Sequence, residues 1–103
     1  MGIATIRLED EEGGVVEEAA GDPHVLDPLL PDVSDLSYQC VRFIDPYGET
    51  VFNRLQMEQF LAEWDRLRAL ATTLDQKRVF QEVRRLAEKC GDEPHLYLRF
   101  SGD

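Results

Sequence analysis

Four side chains carry the donor atoms that could do chemistry: Cys40, Cys90, His24 and His95. Together they could hold a metal ion, or a cysteine and a histidine could act as nucleophile and base. None of the four stands two to five residues from another, the spacing that structural zinc sites use. Each thiol has a plainer place. Cys90 extends the apolar stripe of a helical segment, and Cys40 lies in an apolar run. The expectation is two reduced, buried thiols, no metal and no cofactor. The run Glu9 to Glu12 before Gly13 lacks the alternating ligands of a calcium loop and reads as a solvated hairpin tip. Gly13-Gly14 has no lysine and no following helix, so it makes no phosphate cradle. Ser34, Ser37 and Ser101 have no glycine elbow around them. No catalytic motif is present, and the chain reads as a non-enzyme.

The charge is more informative. The 103 residues hold 21 acids and 11 lysines and arginines, a formal net charge of −10. Residues 1–36 carry ten of the acids and only Arg7, while the remainder is near neutral. Such a balance opposes electrostatic binding to nucleic acid or to an anionic membrane. It suits an acidic face that meets a basic protein partner, with Glu9, Glu11, Glu12, Glu17 and Glu18 as the candidate contacts. A rival face is built from arginine and tyrosine. Arg7, Arg42 and Arg99 fall on three predicted strands, Arg42 beside Tyr38 and Cys40, and Arg99 beside His95 and Tyr97. Arg42, Tyr97 and Arg99 are therefore partner-binding candidates on a helix-free sheet face. Cross-strand pairing with acids such as Glu17 and Glu49 would instead neutralise that face.

The elements that must position these groups follow from periodicity. Ile3–Leu8 reads as a strand with Ala4, Ile6 and Leu8 on one face, and Val15–Ala19 as its hairpin partner. Residues 21–35 contain Pro23, Pro28 and Pro31 and read as irregular chain pinned by Val25, Leu26, Leu29 and Leu30. Leu36–Ile44, rich in Tyr, Val, Phe and Ile, is the strongest predicted strand. The turn Asp45-Pro46-Tyr47-Gly48 then leads into a short strand over Glu49–Phe52. A helix over Arg54–Ala71 carries Met57, Phe60, Leu61, Trp64, Leu67 and Leu70 on one stripe, with Asn53 and Gln56 as a capping box. Thr73 and Gln76 cap a second, striped by Leu74, Val79, Val83, Leu86, Ala87 and Cys90 and stopped at Gly91. The basic residues of both helices, Arg66 to Lys89, alternate with acids and read as a solvated face. His95–Ser101 alternates as a last strand.

The predicted fold is one α+β domain over residues 1–103. It is a two-layer sandwich with a mainly antiparallel sheet of four to five strands, in the order ββ-ββ-αα-β, and an antiparallel helix pair on one face. An acidic hairpin and Pro-rich loop fill 1–35; a strand hairpin, the helix pair and the final strand fill 36–103. No segment is long and apolar enough to span a membrane and no secretory signal is visible, so a cytoplasmic location is expected. The leading functional reading is a small acidic protein-binding module, of the size and charge of immunity proteins and antitoxins that shield a basic partner. The alternative is a small-ligand or enzymatic domain with a pocket between the sheet and the 21–35 loop. An unpaired edge strand would allow a homodimer as well as a monomer.

Overall fold

The computed structural model describes residues 2–103. It is an α+β two-layer arrangement with a four-stranded antiparallel sheet and a helix pair. The strands are β1 (Ile3–Asp10), β2 (Val15–Glu18), β3 (Glu49–Asn53) and β4 (Leu96–Gly102), in the spatial order β2-β1-β4-β3. The helices are α1 (Met57–Arg68) and α2 (Leu74–Asp92). No helix of the described residues is long and apolar enough to cross a membrane.

Alternation sets the two sheet faces. Ile6, Leu8, Phe52, Leu98 and Phe100 point to the helices and are buried. Ile3 is buried too, although simple alternation from Ile6 puts it outside. A register shift between Ile3 and Thr5 inserts one residue there, and Ala4 takes the exposed place. A bulge of this kind reverses the facing of everything beyond it. The β1–β2 hairpin closes at Asp10, whose carboxylate accepts from the N–H groups of Glu12 and Gly14, at 2.9 and 2.8 Å. Gly13 at the tip has φ +83°, a conformation only glycine adopts without strain.

Both helices begin on reciprocal capping boxes, Asn53 with Gln56 and Thr73 with Gln76. The first box caps a single 3₁₀ turn, Arg54–Gln56, so α1 proper starts at Met57 and ends at Arg68, shorter than the stripe predicts. The second helix runs through Gly91 to Asp92 instead of stopping there. The glycine serves packing: a Cβ on Gly91 would sit 3.2 Å from the Met57 Cβ. The end of α2 thus lies against the start of α1, which makes the pair antiparallel. Between helices and sheet Phe52, Phe60, Trp64, Phe80 and Phe100 form one cluster, with neighbouring ring centroids 4.7–6.1 Å apart. The Trp64 indole N–H donates to the Phe80 carbonyl at 3.0 Å, so the largest buried ring is also satisfied as a donor.

One predicted element is absent. Residues 36–44 form no strand; they run as turns into a 3₁₀ turn at Val41–Phe43. The second predicted hairpin therefore does not exist, and β3 pairs with β4. The reason is a single carboxylate. Glu63 of α1 is 1% exposed, and it accepts the backbone N–H groups of Gln39, Cys40 and Val41 at 2.6–3.0 Å. Three consecutive N–H groups converging on one anion form a concave nest, whereas successive N–H groups of a strand point in opposite directions. The Asp45–Gly48 turn is present, with Gly48 N–H donating to Asp45 O, and it leads from this irregular segment into β3. Residues 21–35 are irregular as expected, apart from 3₁₀ turns over Pro23–Leu29, and Leu26 anchors them in the core.

Candidate functional site

The helix-free sheet face is occupied by its own ion pairs. Arg7 and Arg99 stand directly opposite each other on β1 and β4. Like charges in that register repel unless acids intervene. Here Arg99 donates to Glu9 at 2.8 Å and to Glu49 at 3.1 Å, and Arg7 donates to Glu18 at 2.8 Å. Tyr97 lies on the same face, two residues before Arg99. Arg42 does not. The missing strand places it on the far side of the Asp45 turn, so the three-arginine face expected from the sequence is a two-arginine face, and Tyr38 and Cys40 leave it as well.

The hairpin acids are likewise drawn inward. Glu17 is opposite Leu8 and so points to the helix side, against the outward position expected of it. Arg85 and Lys89 of α2 reach it at 2.6 and 2.9 Å. Hydrogen bonds from Lys89 and Arg85 hold its carboxyl down at about 2. Glu11 meets the His95 ring at 3.1 Å, and Glu9 and Glu18 are the partners of Arg99 and Arg7. Glu12 remains exposed at the tip. Four of the five hairpin candidates thus hold this chain together.

A second local surplus of acids lies elsewhere. Residues 22–45 contain Asp22, Asp27, Asp32, Asp35 and Asp45 against one base, Arg42. Asp27 accepts from Ile3 N–H at 3.1 Å and faces His24. Asp32 and Asp35 each hold a turn, accepting the N–H and hydroxyl of Ser34 and of Ser37. Those bonds keep both carboxyls below their ordinary range and charged, with the Arg66 charge adding to the effect at Asp35. Residues 33–47 carry four exposed apolar side chains: Val33 at 58%, Leu36 at 71%, Phe43 at 50% and Tyr47 at 68%. Eight large apolar side chains are at least this exposed among the described residues, and four of them fall within residues 33–47. Scattered apolar residues are ordinary on a surface; four on one irregular segment, two of them lining one cleft, make that segment the candidate contact.

Between the two arms of this segment lies a cleft of about 570 Å³, walled by Asp27, Leu30–Val33 and Arg42–Pro46. It is not the expected pocket between sheet and loop; the sheet contributes none of its lining. Arg42 fastens the walls together: its Nη1 donates to the Val33 carbonyl at 2.6 Å, and its guanidinium lies 4.1 Å from the Phe43 ring centre. From below, Arg66 of α1 donates to Ser37 O at 2.8 Å and stacks on Tyr38. The cleft is also seated on the sheet. A Cβ at Gly102 would fall 2.0 Å from Pro46 O, so the end of β4 admits the turn only because residue 102 is glycine.

Among the described residues no group of three or more His, Cys, Asp or Glu side chains is placed to hold a metal ion. Cys40 and Cys90 are free thiols and both are buried. Burial pushes both up, aided at Cys40 by the Glu63 charge, and Cys90 reaches about 11. Unfolding without reductant should therefore release two titratable thiols per chain, against almost none in the native protein over the same minutes. Finding none after unfolding would mean a disulfide.

Compared with protein-family models, with curated proteins and with solved structures, the chain matches none.

Proposed function

We propose that this protein is a small acidic protein-binding module, of the immunity or antitoxin kind in size and charge, and that it engages a basic partner through residues 22–47. The observation that carries the reading is the coincidence of a surplus of carboxylates with exposed apolar side chains on one segment: Asp32, Asp35 and Asp45 beside Val33, Leu36, Phe43 and Tyr47. Apolar contact supplies affinity on burial, while the surrounding charge steers a basic partner and selects its orientation. The segment is irregular yet held, by Glu63, Arg66 and Leu26 from beneath, which lowers the entropy lost when a partner docks. The reading includes a cytoplasmic location, where Cys40 and Cys90 stay reduced. The cleft volume lies in the range of small-molecule sites, roughly 300–1,000 Å³, and it gives the alternative of a small-ligand domain its support. The cleft offers carboxylates and one guanidinium, groups that bind cations and fix orientation.

A photo-crosslinker at Leu36 or Tyr47 should capture the partner, and one at Leu70 between the helices or Leu74 at the start of α2, both also exposed, should not. With that partner in hand, changing Asp32, Asp35 and Asp45 together to Asn should lower the association rate on the order of tenfold and flatten its dependence on salt. Asn keeps the side-chain oxygen that accepts the turn N–H groups, so the fold stays. Changing Glu11 and Glu12 to Gln should leave the rate as it was. The opposite pattern would return the binding face to the hairpin.

A further inference from the structure

The cleft has a shape and charge that specify what enters it. Its floor and sides are apolar, from Leu30, Pro31, Val33, Phe43, Ile44 and Pro46, and its ionic groups are Asp27, Asp32, Asp45 and Arg42. Arg42 is already committed to the wall through Val33 O and the Phe43 ring. Asp27 faces His24 and accepts Ile3 N–H, and Asp32 and Asp45 accept turn N–H groups, so three engaged carboxylates stand against one engaged arginine and the excess charge is negative. A concave surface with an excess of one charge raises the local concentration of the opposite charge. The Nε of Arg42 is sealed inside the wall without an acceptor, the one such side-chain nitrogen or oxygen among the described residues.

Resting on the binding reading above, we infer that the cleft receives an arginine side chain of the partner protein. An arginine in a peptide brings the groups the cleft lacks. Its aliphatic stem covers Leu30, Val33 and Ile44, and its guanidinium takes carboxylate oxygens at Asp32 and Asp45. The planar guanidinium suits the site better than a lysine ammonium. It forms paired bonds to a carboxylate, packs flat on apolar and aromatic surface, and sheds its water at less cost.

The test needs no partner. Amide NMR spectra of the full chain are recorded against N-acetyl-arginine amide, N-acetyl-lysine amide and N-acetyl-citrulline amide, the last a neutral isostere of arginine. The arginine compound should give saturable shifts at Val33, Phe43 and Ile44 with millimolar affinity, and the citrulline compound should bind about tenfold more weakly or not at all. The variant D32N/D45N should keep its dispersed spectrum and lose the response. No saturable shift at these amides, an equal response to citrulline, or a stronger response to lysine each overturns the inference. If the cleft does not respond while association with the captured partner still depends on Asp32, Asp35 and Asp45, the cleft assignment falls alone. A saturable cleft response with no such dependence overturns the binding-face reading alone.

Discussion

Replacing Glu63 with Ala should cost about 3–5 kcal/mol of folding stability, the range for removing one partner of a buried charged network. Its two oxygens are fully used: Oε1 accepts Cys40 and Val41 N–H at 2.9 and 3.0 Å, and Oε2 accepts Gln39 N–H and the Gln59 amide, both at 2.6 Å. Alanine leaves three backbone donors facing a void, and each unmet donor costs about 1–3 kcal/mol. Glutamine at this position would fare better but not well. The amide nitrogen it introduces must face one of the two donor pairs, and only Gln59 can turn its own amide to receive it. A loss of about 1–3 kcal/mol is expected for Glu63→Gln. The pH dependence separates this account from simple loss of packing. Burial raises the Glu63 carboxyl, but the bonds from Cys40, Gln59, Val41 and Gln39 outweigh it and hold the group below its ordinary 4.5. A carboxyl depressed in the folded state contributes stability above its unfolded value and loses it as pH falls through the folded one. The wild type should therefore lose stability more steeply than Glu63→Ala between about pH 5 and 2. Chemical denaturation at pH 7 and at pH 3 measures both effects. Equal losses at the two pH values would show that the carboxylate is a spacer and not an anchor.

The same residue explains which parts of the fold were legible. Strand β4 could be read because Leu98 and Phe100 alternate with Tyr97 and Arg99, and nothing distant competes with that pattern. The helices could be read from their stripes and from Asn53–Gln56 and Thr73–Gln76, which are local bonds. Residues 36–44 carry the composition of a strand, but strand preference measures fit to a pleated surface, and a contact from a helix more than twenty residues along the chain decides here. Two signals of that contact exist in the sequence. Asp32-Val33-Ser34 and Asp35-Leu36-Ser37 repeat a turn pattern immediately before the segment. Glu63 also falls three residues after Phe60 and four before Leu67, on the buried stripe of α1, where a carboxylate must find donors.

The functional surface was less legible than the fold for a related reason. Net charge per segment counts acids without knowing their partners. Glu17 counts toward an acidic N-terminal third, yet its ligands are Arg85 and Lys89, about seventy residues away. Once such pairs are removed, the hairpin loses most of its surplus, while the turns around Asp32, Asp35 and Asp45 keep theirs. The cleft was invisible because both walls are irregular, and irregular walls have no period to read.

Val83→Asp should be the most damaging single change on α2. Val83 is fully buried, one turn before Ala87 and one after Val79 on the core stripe. A carboxylate there has no partner and must either ionise in the core or stay protonated, a penalty of several kcal/mol against a total of roughly 5–15 for a domain of this size. Val83→Ala removes volume without charge and should cost about 2 kcal/mol. Arg84→Ala, the next residue, breaks partly exposed pairs with Asp65 and Glu88 and should cost no more than about 1 kcal/mol. The acid variant also carries a pH signature opposite to that of Glu63. Its folded-state carboxyl is raised by burial, so above about pH 4 the unfolded chain releases a proton that the folded chain retains. Stability of the variant relative to Val83→Ala should then fall by up to about 1.4 kcal/mol per pH unit until the folded group ionises. Thermal unfolding of the three variants from pH 4 to 8 reads the result. A midpoint for Val83→Asp that stays within error of Arg84→Ala would mean that this face of α2 does not meet the sheet. A midpoint that falls but stays parallel to that of Val83→Ala across the range would mean that water reaches residue 83 in the folded chain.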